Sequence, residues 1–131
     1  MPASPARVTT IDVLKALADP TRLRVVSLVA EAGELCACEI ESLLGVNQSN
    51  LSRHLTRLQN ARVLEGEKRG TWVHYRPAVG SDDDGLVATV VRCARADTST
   101  LGTDLARLAE YRASNGSCRT ILRWTDGSRP S

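Results

Sequence analysis

Apolar residues recur every three or four positions over most of the chain, the pattern of amphipathic helices. Residues 10–18 put Ile11, Leu14, Leu17 and Ala18 on one helical face. Asp19-Pro20 then pairs a good N-cap with a good first helical residue. Leu23, Val26 and Val29 or Ala30 continue an apolar stripe until Gly33. Ile40, Leu43 and Leu44 mark a short helix stopped by Gly45, and Asn47 caps the next, with Leu51, Leu55 and Leu58 at i, i+4 and i+7. Residues 63–67 and 71–76 read as strands around a hairpin turn at Lys68-Arg69-Gly70, with the β bias of Trp72, Val73 and Tyr75, closed by Pro77. Leu86, Val87, Val90, Val91 and Ala94, then Leu101, Leu105, Leu108 and Tyr111, give two terminal helices. Three aspartates at 82–84 suit the first turn of the former, where the helix dipole favours negative charge.

This order predicts a mainly α fold with a small β-hairpin. Helix, glycine turn and helix within residues 36–64 form a helix-turn-helix pattern. Residues 1–8 read as a flexible N-terminal arm, 9–113 as one DNA-binding and dimerisation domain, and 114–131 as a flexible tail rich in Ser, Gly and Arg. No internal repeat is evident. The N-terminus lacks the apolar stretch of a signal peptide, and no run approaches the roughly 20 apolar residues that cross a bilayer. The expectation is a cytoplasmic protein with reduced thiols and no membrane contact.

Composition sharpens two points. The chain has no Phe and only 3% aromatic residues, so its core must be aliphatic. A core short of large rings often gains stability by self-association, so an oligomer is expected. The formal net charge is only +2, yet residues 47–76 carry six basic side chains (Arg53, Arg57, Arg62, Lys68, Arg69, Arg76) against two acidic ones (Glu65, Glu67). That basic island is either a polyanion contact or a solvated face.

The helix at 48–60 carries Gln48, Ser49, Asn50, Ser52, Arg53, His54 and Arg57 away from its leucines. Gln and Asn suit adenine edges, Arg suits guanine or phosphate, and Ser suits either. Lys68 and Arg69 at the hairpin tip would reach an adjacent phosphate backbone. Helix, turn, helix and basic hairpin in this order favour double-stranded DNA binding over a merely charged surface. His54 is either a phosphate contact or a packed helix residue; His74 reads as structural.

Two of the four cysteines stand one residue apart in ELCACEI, residues 34–40. Cys36 and Cys38 at a helix start in a reduced compartment favour ligation or thiol chemistry over packing. Thiolate-only ligation suits soft ions. A helix N-terminus should lower a thiol pKa. On a regular helix, residues i and i+2 point about 200° apart, so gripping one ion would require the first turn to distort. Cys93, beside Val90 and Ala94, reads as core packing. Asp104 and Glu110 read as solvated, so the terminal helices show no metal cluster. An enzyme is not expected, since there is no Cys-x-x-Cys, phosphate loop or Cys–His–acid set.

The stretches LADPTRLRVVSLV, GELCACEIESLLGVNQSNLSRHLTRLQNARVL and KRGTWVHYRP resemble the ArsR/SmtB family of bacterial metal-sensing repressors, over about residues 10–77. The resemblance implies a winged helix-turn-helix homodimer, built through the first and terminal helices. It implies binding to a palindromic operator when metal-free, and release when an inducer binds. Cys36 and Cys38 lie where arsenic-, antimony-, cadmium- and lead-sensing members carry Cys-x-Cys. The implied inducer is As(III) or Sb(III), with Cd(II) or Pb(II) as secondary alternatives, and no further cofactor is required. The chain departs from the pattern at Glu41, where many arsenic-sensing relatives have a third cysteine. A third sulfur would then come from Cys118, ranked slightly above Cys93, or from a small thiol in solution. The competing expectation is a thiol-redox or persulfide-sensing repressor of the same fold, pairing Cys36 or Cys38 with Cys93.

Overall fold

The computed structural model describes residues 8–78 and 85–114. Six helices and three strands follow in the order α1 (Thr10–Leu17), α2 (Pro20–Ala32), β1 (Leu35–Cys36), α3 (Ala37–Leu44), α4 (Gln48–Asn60), β2 (Leu64–Arg69), β3 (Trp72–Pro77), α5 (Leu86–Asp97) and α6 (Ser99–Ala113). The aspartates at 82–84, Cys118 and the tail from 115 lie outside the described residues.

Local chemistry sets most boundaries. Thr9 and Asp12 form a reciprocal capping box at the start of α1. Asp19 accepts the Arg22 N–H at 3.0 Å with Pro20 in the first turn of α2, as the sequence predicts. Asn47 accepts the Asn50 N–H at 2.9 Å to start α4. Gly45 takes φ 68° and ψ 30° between α3 and α4. That left-handed turn costs a non-glycine residue roughly 1–2 kcal/mol.

α2 is the central element. Val25, Val26, Leu28 and Val29 are all buried, and every other helix or the sheet packs on it. The core is aliphatic as expected, with Tyr75 and Tyr111 as its aromatic members. Ile11 and Leu14 depart from expectation. They are 62% and 44% exposed, because Ala16 and Leu17 supply the buried face of α1. Ala18 is exposed as well.

The hairpin is shifted from the sequence reading. Arg69 pairs with Trp72, so the turn is Gly70-Thr71, and Lys68 and Arg69 belong to β2. Gly70 has φ 63° at the first central position, as a two-residue type II′ turn requires. A third strand was not expected. β1 pairs antiparallel with β3 (Leu35 opposite Tyr75, Cys36 opposite His74), giving the sheet order β1-β3-β2. Two residues hold no periodicity to read. Their pairing nevertheless joins the cysteine segment directly to the wing.

Candidate nucleic-acid interface and thiolate site

α4 divides cleanly between two environments. Leu51, Leu55 and Leu58 are buried, while Gln48, Ser49, Ser52, Arg53 and Arg57 are exposed. Asn50 is half-buried and accepts a hydrogen bond from Arg53 at 2.9 Å, which orients the guanidinium along the exposed face. Thr56 lies on that face too. It was not singled out in the sequence, although its spacing from Ser52 and Arg53 (i+4, i+3) points to it. His54 faces inward instead. Its ring sits at the start of α2, with Arg22 3.2 Å and Asp19 3.8 Å from Nδ1. It fastens α4 to α2, the packed alternative of the two readings.

On the wing, Lys68 is exposed. Arg69 is held between Glu34 at 2.6 Å and Glu67 at 2.8 Å. The Arg69 guanidinium draws both carboxylates below their ordinary pKa. Arg76 pairs with Glu65 and Glu67, and His74 lies 3.5 Å from Glu34. The wing is thus braced by an exposed ion-pair network that also ties it to the residue before β1.

The cysteine pair straddles a strand–helix junction. Cys36 ends β1 and is the N-cap of α3, with extended backbone (φ −83°, ψ 160°). Cys38 lies in the first turn of α3. Because Cys36 is outside the helix, the opposition of i and i+2 does not apply. The two sulfurs converge to 2.8 Å, and both side chains are buried. No helical turn has to distort to bring them together. A single ion bound to both at about 2.3 Å would space them by roughly 3.3–3.8 Å, for angles between square and tetrahedral. Cys38 is disulfide-bonded in this structure, so both sulfurs become donors to one soft ion only after its reduction, with a widening of under about 1 Å.

The Cys36 thiol departs from expectation in its acidity. Burial pushes its pKa up to about 11, and the neighbouring Glu39 carboxylate opposes ionisation. The helix N-terminus does not overcome these. Glu39 accepts the Cys36 N–H at 2.8 Å through Oε1, and its Oε2 accepts the Tyr111 hydroxyl of α6. Glu39 was not singled out in the sequence, and Tyr111 was read only as part of a helix's apolar face. Glu39, three residues after the N-cap, has the spacing of a capping box and could have been found by it.

Of the other candidate ligands, Cys118 lies outside the described residues. Cys93 is exposed on α5, not packed in the core. Among the described residues no group of three His, Cys, Asp or Glu side chains could hold a metal ion. Glu110 is exposed as expected, but Asp104 is buried. Asp104 holds Arg24 by two hydrogen bonds, at 2.9 and 3.0 Å, locking α6 onto α2.

Comparison with known proteins gives these elements a family. Residues 19–65, from the start of α2 through α4 to β2, match the bacterial regulatory protein, arsR family. The chain is 42% identical over 100 residues to the arsenic resistance transcriptional regulator ArsR1 of Pseudomonas putida, covering 75% of this chain and 76% of that protein. It is 37% identical over 99 residues to the arsenical resistance operon repressor of Escherichia coli, covering 74% and 85%. Among solved structures, the AntR antimony-specific transcriptional repressor superposes with a TM-score of 0.54 at 26% identity, covering 82% of this chain and 90% of that one. With its helix-turn-helix, its hairpin wing and this similarity over most of its length, the chain belongs to the ArsR family of bacterial regulatory proteins.

Proposed function

We propose that this ArsR-family transcriptional repressor binds operator DNA as a homodimer and releases it when trivalent arsenic or antimony bonds to Cys36 and Cys38. The observation that carries the reading is the buried sulfur pair, 2.8 Å apart, at the junction of β1 with α3. Relatives named for arsenic resistance, and a neighbour named as antimony-specific, support the choice of inducer.

The DNA-reading surface would be the exposed face of α4, with Gln48, Ser49, Ser52, Arg53 and Arg57, and Lys68 on the wing. Asn50 would act by orienting Arg53. Arg69 would neutralise phosphate only by sharing its charge with Glu34 and Glu67. Ile11 and Leu14, exposed on α1, are apolar side chains that a second copy would cover. A two-fold dimer sets its recognition helices about 34 Å apart, in successive major grooves.

Inducer chemistry needs no oxidant. Once Cys38 has been reduced by a small thiol, arsenious acid condenses with each of the two thiols. An As–S bond forms, an As–O bond breaks, and the thiol proton leaves with the hydroxyl as water. A protonated Cys36 is therefore a competent starting state. Cys36 is paired with His74 of the wing strand and caps the first helix of the helix-turn-helix. Moving its sulfur disturbs both DNA-reading elements at their shared root, a local event acting on a global arrangement. A third sulfur would come from Cys118, from Cys93 of either protomer or from a small thiol. Two thiolates without nitrogen or oxygen donors favour As(III) or Sb(III), with Cd(II) or Pb(II) as alternatives. A redox pairing of the buried cysteines with Cys93 is less well supported, because Cys93 is exposed on α5.

Fluorescence anisotropy on labelled operator tests the reading. Cys36→Ser and Cys38→Ser are expected to bind operator within about threefold of wild type and to resist arsenite, losing most of a coupling typically worth 5–150-fold. Undiminished release of either variant at the same arsenite concentration contradicts the site.

A further inference from the structure

α6 grips α3 at both ends. At the C-terminal end, Arg107 donates to the Leu43 carbonyl at 3.2 Å, and Arg24, fixed by Asp104, donates to the Leu44 carbonyl at 3.3 Å. At the N-terminal end, the Tyr111 hydroxyl donates to Glu39. The same Glu39 carboxylate accepts the Cys36 N–H through its other oxygen. One side chain therefore links the backbone of the first cysteine to the last helix. Tyr111 is buried in the main core, so its hydroxyl has little freedom to find another partner.

We infer that Glu39 and Tyr111 are positioning residues that transmit inducer binding at Cys36 and Cys38 to α6. They set the size of the coupling between inducer and operator, rather than the affinity for either alone. The inference rests on the thiolate reading above. Capture of one ion by both sulfurs requires Cys38 to leave its disulfide and the pair to open from 2.8 Å to the spacing of one ion's ligands. Cys36 is pinned through its N–H to Glu39. A shift of about half an ångström takes a 2.8 Å bond beyond the good range. Either Glu39 follows Cys36 and draws Tyr111 with it, or it lets go. In the second case, of the hydrogen bonds named, α6 keeps its own bond from Arg107 to the Leu43 carbonyl and the indirect link through Asp104 and Arg24 of α2 to Leu44. Both outcomes change how α6 sits against α3, and packed elements answer such a shift by switching between discrete arrangements. α6 also packs along α2, the helix that supports α4 and β3, so the change reaches the DNA-reading elements.

Tyr111→Phe removes a single hydroxyl and keeps the ring in the core. Three quantities are measured on the full chain: operator affinity without arsenite, arsenite affinity without DNA, and operator affinity at saturating arsenite. The first two are expected within about twofold of wild type. The ratio of the first to the third should fall by about tenfold, out of a coupling of ordinary size. Glu39→Ala, which removes the side chain that joins the Cys36 N–H to the Tyr111 hydroxyl, should show the same loss. If both variants keep the wild-type ratio, and only their unfolding midpoints move, Glu39 and Tyr111 are merely structural and the inference is overturned. If wild-type protein binds no arsenite, or binds it without releasing operator, the thiolate reading itself fails and takes this inference with it.

Discussion

At the residue scale, the decisive group is the pair Cys36 and Cys38. Their spacing suggested a soft-ion site, but it did not carry their geometry. A helix start suggested sulfurs on opposite sides. Cys36 instead ends a two-residue strand, and the extended backbone turns its sulfur toward Cys38. The acidity also came out reversed, because burial and Glu39 outweigh the helix N-terminus. Asp104 shows the same limit. As a lone acid in a helix it reads as solvated, and only the fold brings Arg24 to it from 80 residues away. Removing one partner of a buried, hydrogen-bonded ion pair leaves the other charge uncompensated. Asp104→Ala is therefore expected to lower stability by about 3–5 kcal/mol, read as a shift in the urea midpoint with little change in slope. A loss under about 1 kcal/mol would class the pair with exposed salt bridges.

At the element scale, caps made the long helices legible, since Asp19, Gly33, Gly45 and Asn47 mark ends that the structure keeps. β1 carries too few residues for any period, and α1 misled because its small Ala16 packs where Ile11 and Leu14 were expected. The wing supports a pH prediction. Arg69 holds the Glu34 and Glu67 carboxylates below their ordinary pKa. A depressed folded-state pKa gives stability present above about pH 4.5 and lost as pH falls through the depressed value. Wild-type stability should decline over that acidic window more steeply than that of Glu34→Gln, and the difference should shrink in about 1 M salt. Identical acid profiles would mean the ion pair contributes nothing. The reading face of α4 gives a second test. Arg53→Ala and Lys68→Ala should each reduce the salt slope of operator binding by about one if they contact phosphate. An unchanged slope for Arg53→Ala, with relaxed sequence preference, would move it to base recognition.

At the scale of the whole molecule, the sequence carried the family and the order of elements, because helix-turn-helix and wing are local patterns. It did not carry what the elements meet. Cys93 read as core, yet lies exposed on α5, while Tyr111 reaches α3 across the sequence. Self-association is expected to use α1, where Ile11 and Leu14 stand exposed. Ile11→Asp with Leu14→Asp should shift sedimentation toward monomer and weaken binding to a two-half-site operator by more than about tenfold, while a single half-site is bound as before. Dimers that persist unchanged would place the interface elsewhere. The central claim is that one chemical event at Cys36 and Cys38 both captures the inducer and frees the DNA. Its most direct test is arsenite titrated into the preformed operator complex, followed at once by anisotropy and by arsenic–thiolate absorbance. The account predicts that both signals reach their end points together, at one arsenite per protomer, and that both vanish in Cys36→Ser/Cys38→Ser. Release without thiolate absorbance, or full absorbance with the complex intact, would contradict it.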